Sequence, residues 1–143
     1  RQSQPLTIQD QDNYFNTNIN QLFEAEKPNQ FLFSYLENDK CIGYGGLVHI
    51  NWIDKNAEVS FIMNTDLEKE YFSDYWKAYL NILKEVAFET LNLHKTYVYA
   101  FDLRPHLYDA LEKSGYFFDC RLNEHCFYNN EFKDVVIYSQ INK

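Results

Sequence analysis

The spacing of apolar residues alternates between two periods along the chain, and the order of these periods constrains the fold more than any other feature. Residues 65–92 carry apolar side chains at the three-to-four-residue spacing of one helix face. A helical segment and three strand-like segments precede this stretch, and a strand, a short helix and two strands follow it. The sequence therefore predicts an α/β (α+β) domain with the element order α, β, β, β, α, β, α, β, β.

Turn residues and capping residues give the expected bounds of these elements. The expected helices are 7–26, 65–92 and 105–113, the second with a capping box formed by Thr65 and Glu68 and the third closed by Ser114-Gly115. The expected strands are 30–37, 41–52, 57–63, 95–101, 116–128 and 132–141. The first two and the last two strands are expected to form hairpins, across Asn38-Asp39-Lys40 and Asn129-Asn130.

Length and composition favour one folded domain. The chain has 143 residues, of which 45% are hydrophobic, and only 4 Gly and 3 Pro interrupt the periodic segments. A chain of this size can bury a core, and its composition is unlike that of disordered proteins. No repeat or linker divides it. We expect residues 1–143 to form a single domain.

Charge and cysteine content exclude several classes of function. The formal charge of -8 disfavours nucleic acid as a partner, because binding phosphates requires clustered Lys and Arg. The three cysteines lack the spacing of a zinc site or a disulfide framework, so no metal is expected. No stretch has the length of a transmembrane helix or the pattern of a secretory signal. The sequence predicts a cytoplasmic protein without a membrane partner.

Several segments resemble one family in an order that covers most of the chain. These segments are Ile42-Gly43-Tyr44-Gly45-Gly46, Ala87-Phe88-Glu89 with Leu91-Asn92-Leu93-His94-Lys95, Leu111-Glu112-Lys113-Ser114-Gly115-Tyr116, Arg121, Glu124-His125 and Phe132-Lys133-Asp134. In this order they resemble the GNAT N-acetyltransferases, in the branch of the ribosomal-protein-alanine and amino-sugar acetyltransferases. The resemblance implies a mixed, mostly antiparallel central sheet flanked by helices. Family members usually begin with a strand and a helix upstream of the first helix seen here, so Arg1 is not expected to be the natural start.

The same resemblance implies a function. A GNAT enzyme transfers an acetyl group from acetyl-CoA to a primary amine, here of a small molecule such as an amino sugar or of a protein N-terminus. The strand expected to hold the pantetheine arm includes Val59, Phe61, Ile62 and Met63. A homodimer through the edge of the last hairpin is a further hypothesis.

The sequence departs from the family where acetyl-CoA phosphates bind. The family's glycine loop reads Q/R-x-x-G-x-G/A, whereas Asp74 and Trp76 stand at the glycine positions here. Asp66, Glu68 and Glu70 make the preceding turn acidic, and Leu111 replaces the tyrosine that commonly serves as the acid. These departures favour an alternative, a non-catalytic binding or assembly module that keeps the fold and has lost the phosphate loop.

Four residues are candidates for the chemistry. Glu58 opens the third strand and is the expected base, with His49 facing it across the hairpin. Tyr108, one turn before Leu111, is the candidate acid, and Arg104 is the candidate phosphate contact. Three of them have a structural alternative: for Glu58 a solvated carboxylate at the hairpin edge, for His49 a histidine with a purely structural role, and for Arg104 a surface ion pair with Asp102.

Overall fold

One mixed sheet organises residues 5–143, which are the residues that the computed structural model describes. Its strands are β1 Phe31–Glu37, β2 Lys40–Asn51, β3 Asn56–Met63, β4 Lys95–Phe101, β5 Phe117–Tyr128 and β6 Glu131–Ile141. The strands lie in the order β1-β2-β3-β4-β6-β5, and every neighbouring pair is antiparallel except β3 with β4. The expected mixed, mostly antiparallel sheet is confirmed.

Helical segments follow in the expected order. They are α1 Ile8–Asn13, a π-helical stretch Tyr14–Ile19, α2 Asn20–Glu24, α3 Thr65–Lys84, a π-helical stretch Glu85–Thr90 and α4 Pro105–Lys113. The first three run continuously, and we call them the N-terminal helical segment. A capping box between Thr7 and Asp10 starts this segment, so its first turn satisfies its own backbone donors. None of its side chains is buried.

The start of α3 differs from the sequence expectation. The cap is Asn64, whose side chain accepts a hydrogen bond from the backbone N–H of Asp66. The expected capping box of Thr65 and Glu68 is wrong, because Asn64 precedes the first helical residue and Glu68 instead contacts Arg104. The acidic first turn of α3 therefore complements the helix dipole of this chain itself.

The hairpin turns have the geometry that their residues favour. Asn38 and Asp39 have φ values of 48° and 62°, and Asn129 and Asn130 have φ values of 50° and 60°. Two consecutive residues with positive φ match the twist of a tight hairpin, and Asn and Asp tolerate this conformation better than most residues. Both predicted turns are confirmed.

The hydrophobic core lies between the sheet and helices α3 and α4. Its central side chains come from both layers: Leu47, Val59, Trp76, Leu80, Leu83, Val98, Leu107, Leu111 and Val136. Phe61 stacks on Tyr79 of α3 with ring centroids 4.0 Å apart, which fixes one face of β3 against the helix. Because successive residues of a strand point to opposite faces, Glu58 and Ser60 lie on the other face of β3.

Within residues 5–143, no helix combines the length and the hydropathy that a membrane-spanning helix requires.

Candidate functional site

The only parallel pair of neighbouring strands in the described sheet opens partway along its length. β3 and β4 pair at Asn56 with Lys95, at Ala57 with Thr96 and at Glu58 with Tyr97, whereas β3 continues to Met63 and β4 to Phe101. In the described residues no pairing between them extends past Glu58 and Tyr97. The facing backbone edges beyond this point can therefore bond to an extended ligand instead of to each other.

Glu58 stands at the point where the two strands separate. Its side chain is 23% exposed, and the Nε2 atom of His49 lies 3.9 Å from its Oε2 atom. Burial raises the pKa of Glu58 above the usual glutamate value, and the nearby His49 partly offsets this increase. Tyr97 is beside it, and burial together with the Glu58 charge raises the pKa of the Tyr97 hydroxyl. The result is a half-buried carboxylate that takes up a proton more readily than an exposed one.

A local irregularity in β2 places His49 next to Glu58. The register between β2 and β3 shifts between Val48 and Asn51, and His49 has a φ of 52°. The residue paired directly with Glu58 is Val48, so a regular strand would place His49 on the opposite face. The expected proximity of His49 and Glu58 is thus achieved through a bulge. The His49 side chain remains 73% exposed.

The side chains expected to bind the cofactor along β3 point in different directions. Val59 and Met63 are buried against the helices, Phe61 packs on Tyr79 and Trp76, and Ile62 is 68% exposed. Three of these four side chains contribute to the core. What this stretch of β3 can offer to a ligand in the opening is therefore mainly its backbone, as a pantetheine arm requires.

Arg104 joins the N-terminal ends of α3 and α4. Its Nη1 atom lies 3.1 Å from the Oε1 atom of Glu68, and the rings of Phe72 and His106 meet edge to face beside this pair. The structural alternative for Arg104, a surface ion pair with Asp102, is wrong in its partner, because Arg104 pairs with Glu68 and Asp102 bonds to Arg121. Since α3 follows β3 and α4 follows β4, both helix ends lie where the strands diverge.

Tyr108 is committed to a network on the helix face of the sheet. Its hydroxyl donates to Asp102, and its ring stacks on Tyr138 with centroids 5.4 Å apart. Burial and the bond to Asp102 raise the pKa of Tyr108 well above the usual tyrosine value. Because Glu58 points to the other face of the sheet, the structure does not bring these two candidates together.

Sequence reasoning did not find the ion network around Tyr108. Arg121 donates to both Asp102 and Asp134, joining the end of β4 to the β5–β6 hairpin. The sequence indicates Arg121 only through the family resemblance. Its partners Asp102 and Asp134 are 19 and 13 residues away in sequence. No short spacing in the chain signals such a pairing.

The segment that stands in place of the family's glycine loop, residues 71–76, is helical. Asp74 and Trp76 lie inside α3, which begins at Thr65, so this stretch cannot form a phosphate loop. Asp74 points to Lys77, with 2.9 Å between its Oδ1 and the Nζ atom, and Trp76 is buried in the core. The opening between β3 and β4 thus fits an acyl-pantetheine arm, whereas segment 71–76 does not fit the pyrophosphate. Arg104, at the start of α4, brings a guanidinium to this end of the opening.

A cavity of about 690 Å³ lies beside His49, between the N-terminal helical segment and the open end of the β1–β2 hairpin. It is open to solvent: Asn18, Gln21 and Asn29 are exposed, and the His49 side chain is 73% exposed. Amide side chains dominate its polar lining: Asn18, Gln21, Asn29 and Gln30. Sequence reasoning did not find this cavity, because it forms where residues 14–30 lie beside His49 of β2, and no local pattern in the chain signals that approach.

Within residues 5–143, no group of three or more His, Cys, Asp or Glu side chains is arranged to hold a metal ion. Cys41 and Cys120 are exposed, Cys126 is buried, and all three are free thiols.

Comparisons with known proteins agree with this architecture. Residues 3–137 match the family model described as "Acetyltransferase (GNAT) domain". The spermidine N(1)-acetyltransferase of Vibrio cholerae is 29% identical over 94 residues, which are 66% of this chain and 53% of that protein. The chain therefore spans about half the length of the curated relative that it matches.

Solved structures show the same fold. The spermidine N-acetyltransferase of Vibrio cholerae in complex with CoA and spermine superposes with a TM-score of 0.80 at 21% identity, covering 98% of this chain and 78% of that one. A dodecameric structure of the Vibrio cholerae spermidine N-acetyltransferase gives a TM-score of 0.79 at 22% identity, covering 94% of this chain and 74% of that one.

Proposed function

The chain belongs to the GNAT acetyltransferase family, and from this premise we propose that it transfers an acetyl group from acetyl-CoA to the primary amine of a small molecule. The relatives that act on spermidine support a small amine as the acceptor. They give no support to a protein N-terminus or to an amino sugar as such.

One observation carries this proposal: the sheet opens at Glu58. The parallel pairing of β3 and β4 ends at Glu58 and Tyr97. The half-buried carboxylate of Glu58 therefore stands at the inner end of the opening between the two strands. A thioester arm that bonds to these edges brings its acyl carbon toward Glu58. A base with a raised pKa at that point suits proton removal from an ammonium group.

The proposed reaction begins with deprotonation of the acceptor amine. Glu58 takes one proton from the acceptor ammonium, which gives a free amine. The amine nitrogen forms a bond to the acyl carbon, and the carbon–sulfur bond breaks. The nitrogen then loses a second proton, and the departing thiolate takes up one proton. The products are an N-acetyl amine and CoA with a free thiol. His49, 3.9 Å from Glu58 and largely exposed, can pass the first proton from Glu58 to water.

Arg104 is the proposed phosphate contact of acetyl-CoA. It lies at the mouth of the opening, and its present partner is Glu68. A diphosphate offers a guanidinium more charge than one carboxylate does, so phosphate binding is expected to displace Glu68. We assign the backbone of Val59–Met63 to the pantetheine arm, and we assign no acid role to Tyr108 because its hydroxyl is held by Asp102.

A second candidate function is a non-catalytic module. The acidic first turn of α3 and the absence of a glycine loop in segment 71–76 favour it, because both weaken binding of the phosphates. The two candidates differ in one measurable property, since only the enzyme requires acetyl-CoA to bind in the opening between β3 and β4.

The test is acetyl transfer to a panel of small amines, followed as the release of free CoA thiol. We expect Glu58→Gln to lower kcat/KM by roughly 10²- to 10⁴-fold, because the amide cannot accept the proton. Isothermal titration of the same variant with CoA should give unchanged affinity. Glu89→Gln, which removes an exposed carboxylate outside the site, is the matched control and should keep full activity.

Two results would overturn the proposal. Absence of CoA binding to the wild-type protein would favour the non-catalytic module. Full activity of Glu58→Gln would show that the base is another group. Loss of CoA affinity in Arg104→Ala with unchanged affinity for acetyl-pantetheine, which lacks the diphosphate, would support the role given to Arg104.

A further inference from the structure

The cavity beside His49 has a lining that is informative about the acceptor. His49 lines the cavity and also approaches Glu58, with 3.9 Å between Nε2 and Oε2. The cavity therefore leads from solvent to the proposed base by way of one imidazole. An amine held in it lies next to the imidazole that stands between the cavity and that carboxylate.

From this lining we infer that the cavity is the acceptor site and that it selects a hydroxylated amine with one ammonium group over a polyamine. The inference rests on the proposed acetyl transfer and adds the class of acceptor. It separates this chain from the relatives, whose names specify spermidine.

Charge is the first reason. No carboxylate is among the described residues that line the cavity, and the one cationic amine in the lining is Lys27. An ammonium group held against this lining finds no anionic partner in it, so the further ammonium groups of a polyamine gain no ion pair there. Glu58, reached through His49, provides for a single ammonium, while Lys27 repels a second one.

Hydrogen-bonding capacity is the second reason. The side chains of Asn18, Gln21, Asn29 and Gln30 each offer a carbonyl oxygen and an NH₂ group. A hydroxyl group both donates and accepts, so amides can satisfy it fully. Gln30 already donates to the Tyr14 hydroxyl. The methylene chain of a polyamine offers the amides no hydrogen bond, so covering them would remove bonds to water and replace them with none.

The net charge of -8 does not reverse this preference. It attracts every cationic amine at long range, and the attraction grows with the charge of the ligand. Salt at about 0.15 M screens charges over about 8 Å, so assays at that ionic strength mainly report the groups that line the cavity.

The experiment compares two acceptors at saturating acetyl-CoA and about 0.15 M salt. Glucosamine is the hydroxylated monoamine, and spermidine is the polyamine. We expect the wild-type protein to give the higher kcat/KM with glucosamine. Lys27→Glu should raise kcat/KM for spermidine roughly fivefold, because an attractive charge replaces a repulsive one at the edge of the cavity.

Two further variants keep the result interpretable. Lys40→Glu changes the net charge equally but lies at the turn end of the β1–β2 hairpin, away from the cavity, and should leave the ratio of the two kcat/KM values unchanged. Gln21→Glu adds a carboxylate within the lining and should favour spermidine as Lys27→Glu does.

The outcomes distinguish a failure of this inference from a failure of the proposed acetyl transfer on which it rests. Preference for glucosamine, weakened by Lys27→Glu and Gln21→Glu but not by Lys40→Glu, supports the inference. Preference of the wild-type protein for spermidine overturns the inference and leaves the acetyltransferase in place. Failure to acetylate any amine overturns both.

Discussion

Glu58 is the residue whose environment matters most to the proposed chemistry. It is half-buried on the face of β3 opposite α3, with His49 and Tyr97 as its ionisable neighbours. Desolvation raises its pKa, and the imidazole of His49 only partly compensates. The same environment that prepares the carboxylate to accept a proton also makes its charged form costly for the fold.

This cost gives a prediction about stability and pH. Because the pKa of Glu58 is higher in the folded chain than in the unfolded chain, the folded state holds the proton more tightly. The resulting stabilisation is complete below the unfolded pKa and is lost as pH rises through the folded pKa. Glu58→Gln removes this titration. We expect the Tm of the variant minus that of the wild type to become more positive from about pH 4 to about pH 8.

Thermal unfolding of both proteins across this range is the measurement. Glu89→Gln, at an exposed position, is the control, and its Tm difference from wild type should change little with pH. A constant difference for Glu58→Gln would mean that Glu58 titrates at its ordinary value and that burial does not prepare it as a base.

At the scale of the element, the start of α3 decides what its N-terminus can bind. The side chain of Asn64 accepts a hydrogen bond from the backbone N–H of Asp66, and the first turn contains the carboxylates of Asp66 and Glu68. The helix end therefore meets its own hydrogen-bonding and electrostatic needs. An incoming phosphate depends on Arg104 rather than on this helix end.

A pair of alanine substitutions tests the assignment of the cap. Asn64→Ala should lower the free energy of unfolding by about 1 kcal/mol, because it removes the acceptor for the Asp66 N–H. Thr65→Ala should change it much less, since Thr65 is the first helical residue and does not serve as the cap. Urea denaturation of the two variants measures both values. A larger loss for Thr65→Ala would restore the capping box expected from the sequence.

At the scale of the whole molecule, one sheet and one core connect the two ends of the described chain. β6, near the C-terminus, lies between β4 and β5, and the side chain of Trp52 donates to the Pro28 carbonyl just after the N-terminal helical segment. Long-range pairing of this kind makes folding cooperative. We propose that residues 1–143 form a single cooperative unit.

Single-tryptophan variants test this proposal. Trp52→Phe leaves Trp76, which lies on α3 and is buried in the core, and Trp76→Phe leaves Trp52, which directly follows β2 and is half-buried. For each variant, the urea midpoint from tryptophan fluorescence should coincide with its own midpoint from far-UV circular dichroism. Separate midpoints for the two probes in either variant would show that part of the chain unfolds independently.

The sequence alone determined the order and type of the elements, because apolar periodicity and turn chemistry are local properties. Strand β4 has the expected bounds, and Asn38-Asp39 and Asn129-Asn130 form the expected turns. The sequence also directed attention to Glu58 and His49 as neighbours on adjacent strands. It misplaced the cap of α3 by one residue, because Asn64 and Thr65 are both good capping residues and only the backbone path selects between them.

Only the tertiary structure decided which distant side chains meet. Arg104 pairs with Glu68 rather than with its sequence neighbour Asp102, because the ends of α3 and α4 converge where β3 and β4 diverge. His49 reaches Glu58 through a bulge that shifts the register of β2. The cavity forms where residues 14–30 lie beside His49 of β2. These contacts depend on how elements pack across the sheet, and no local pattern in the chain encodes that packing.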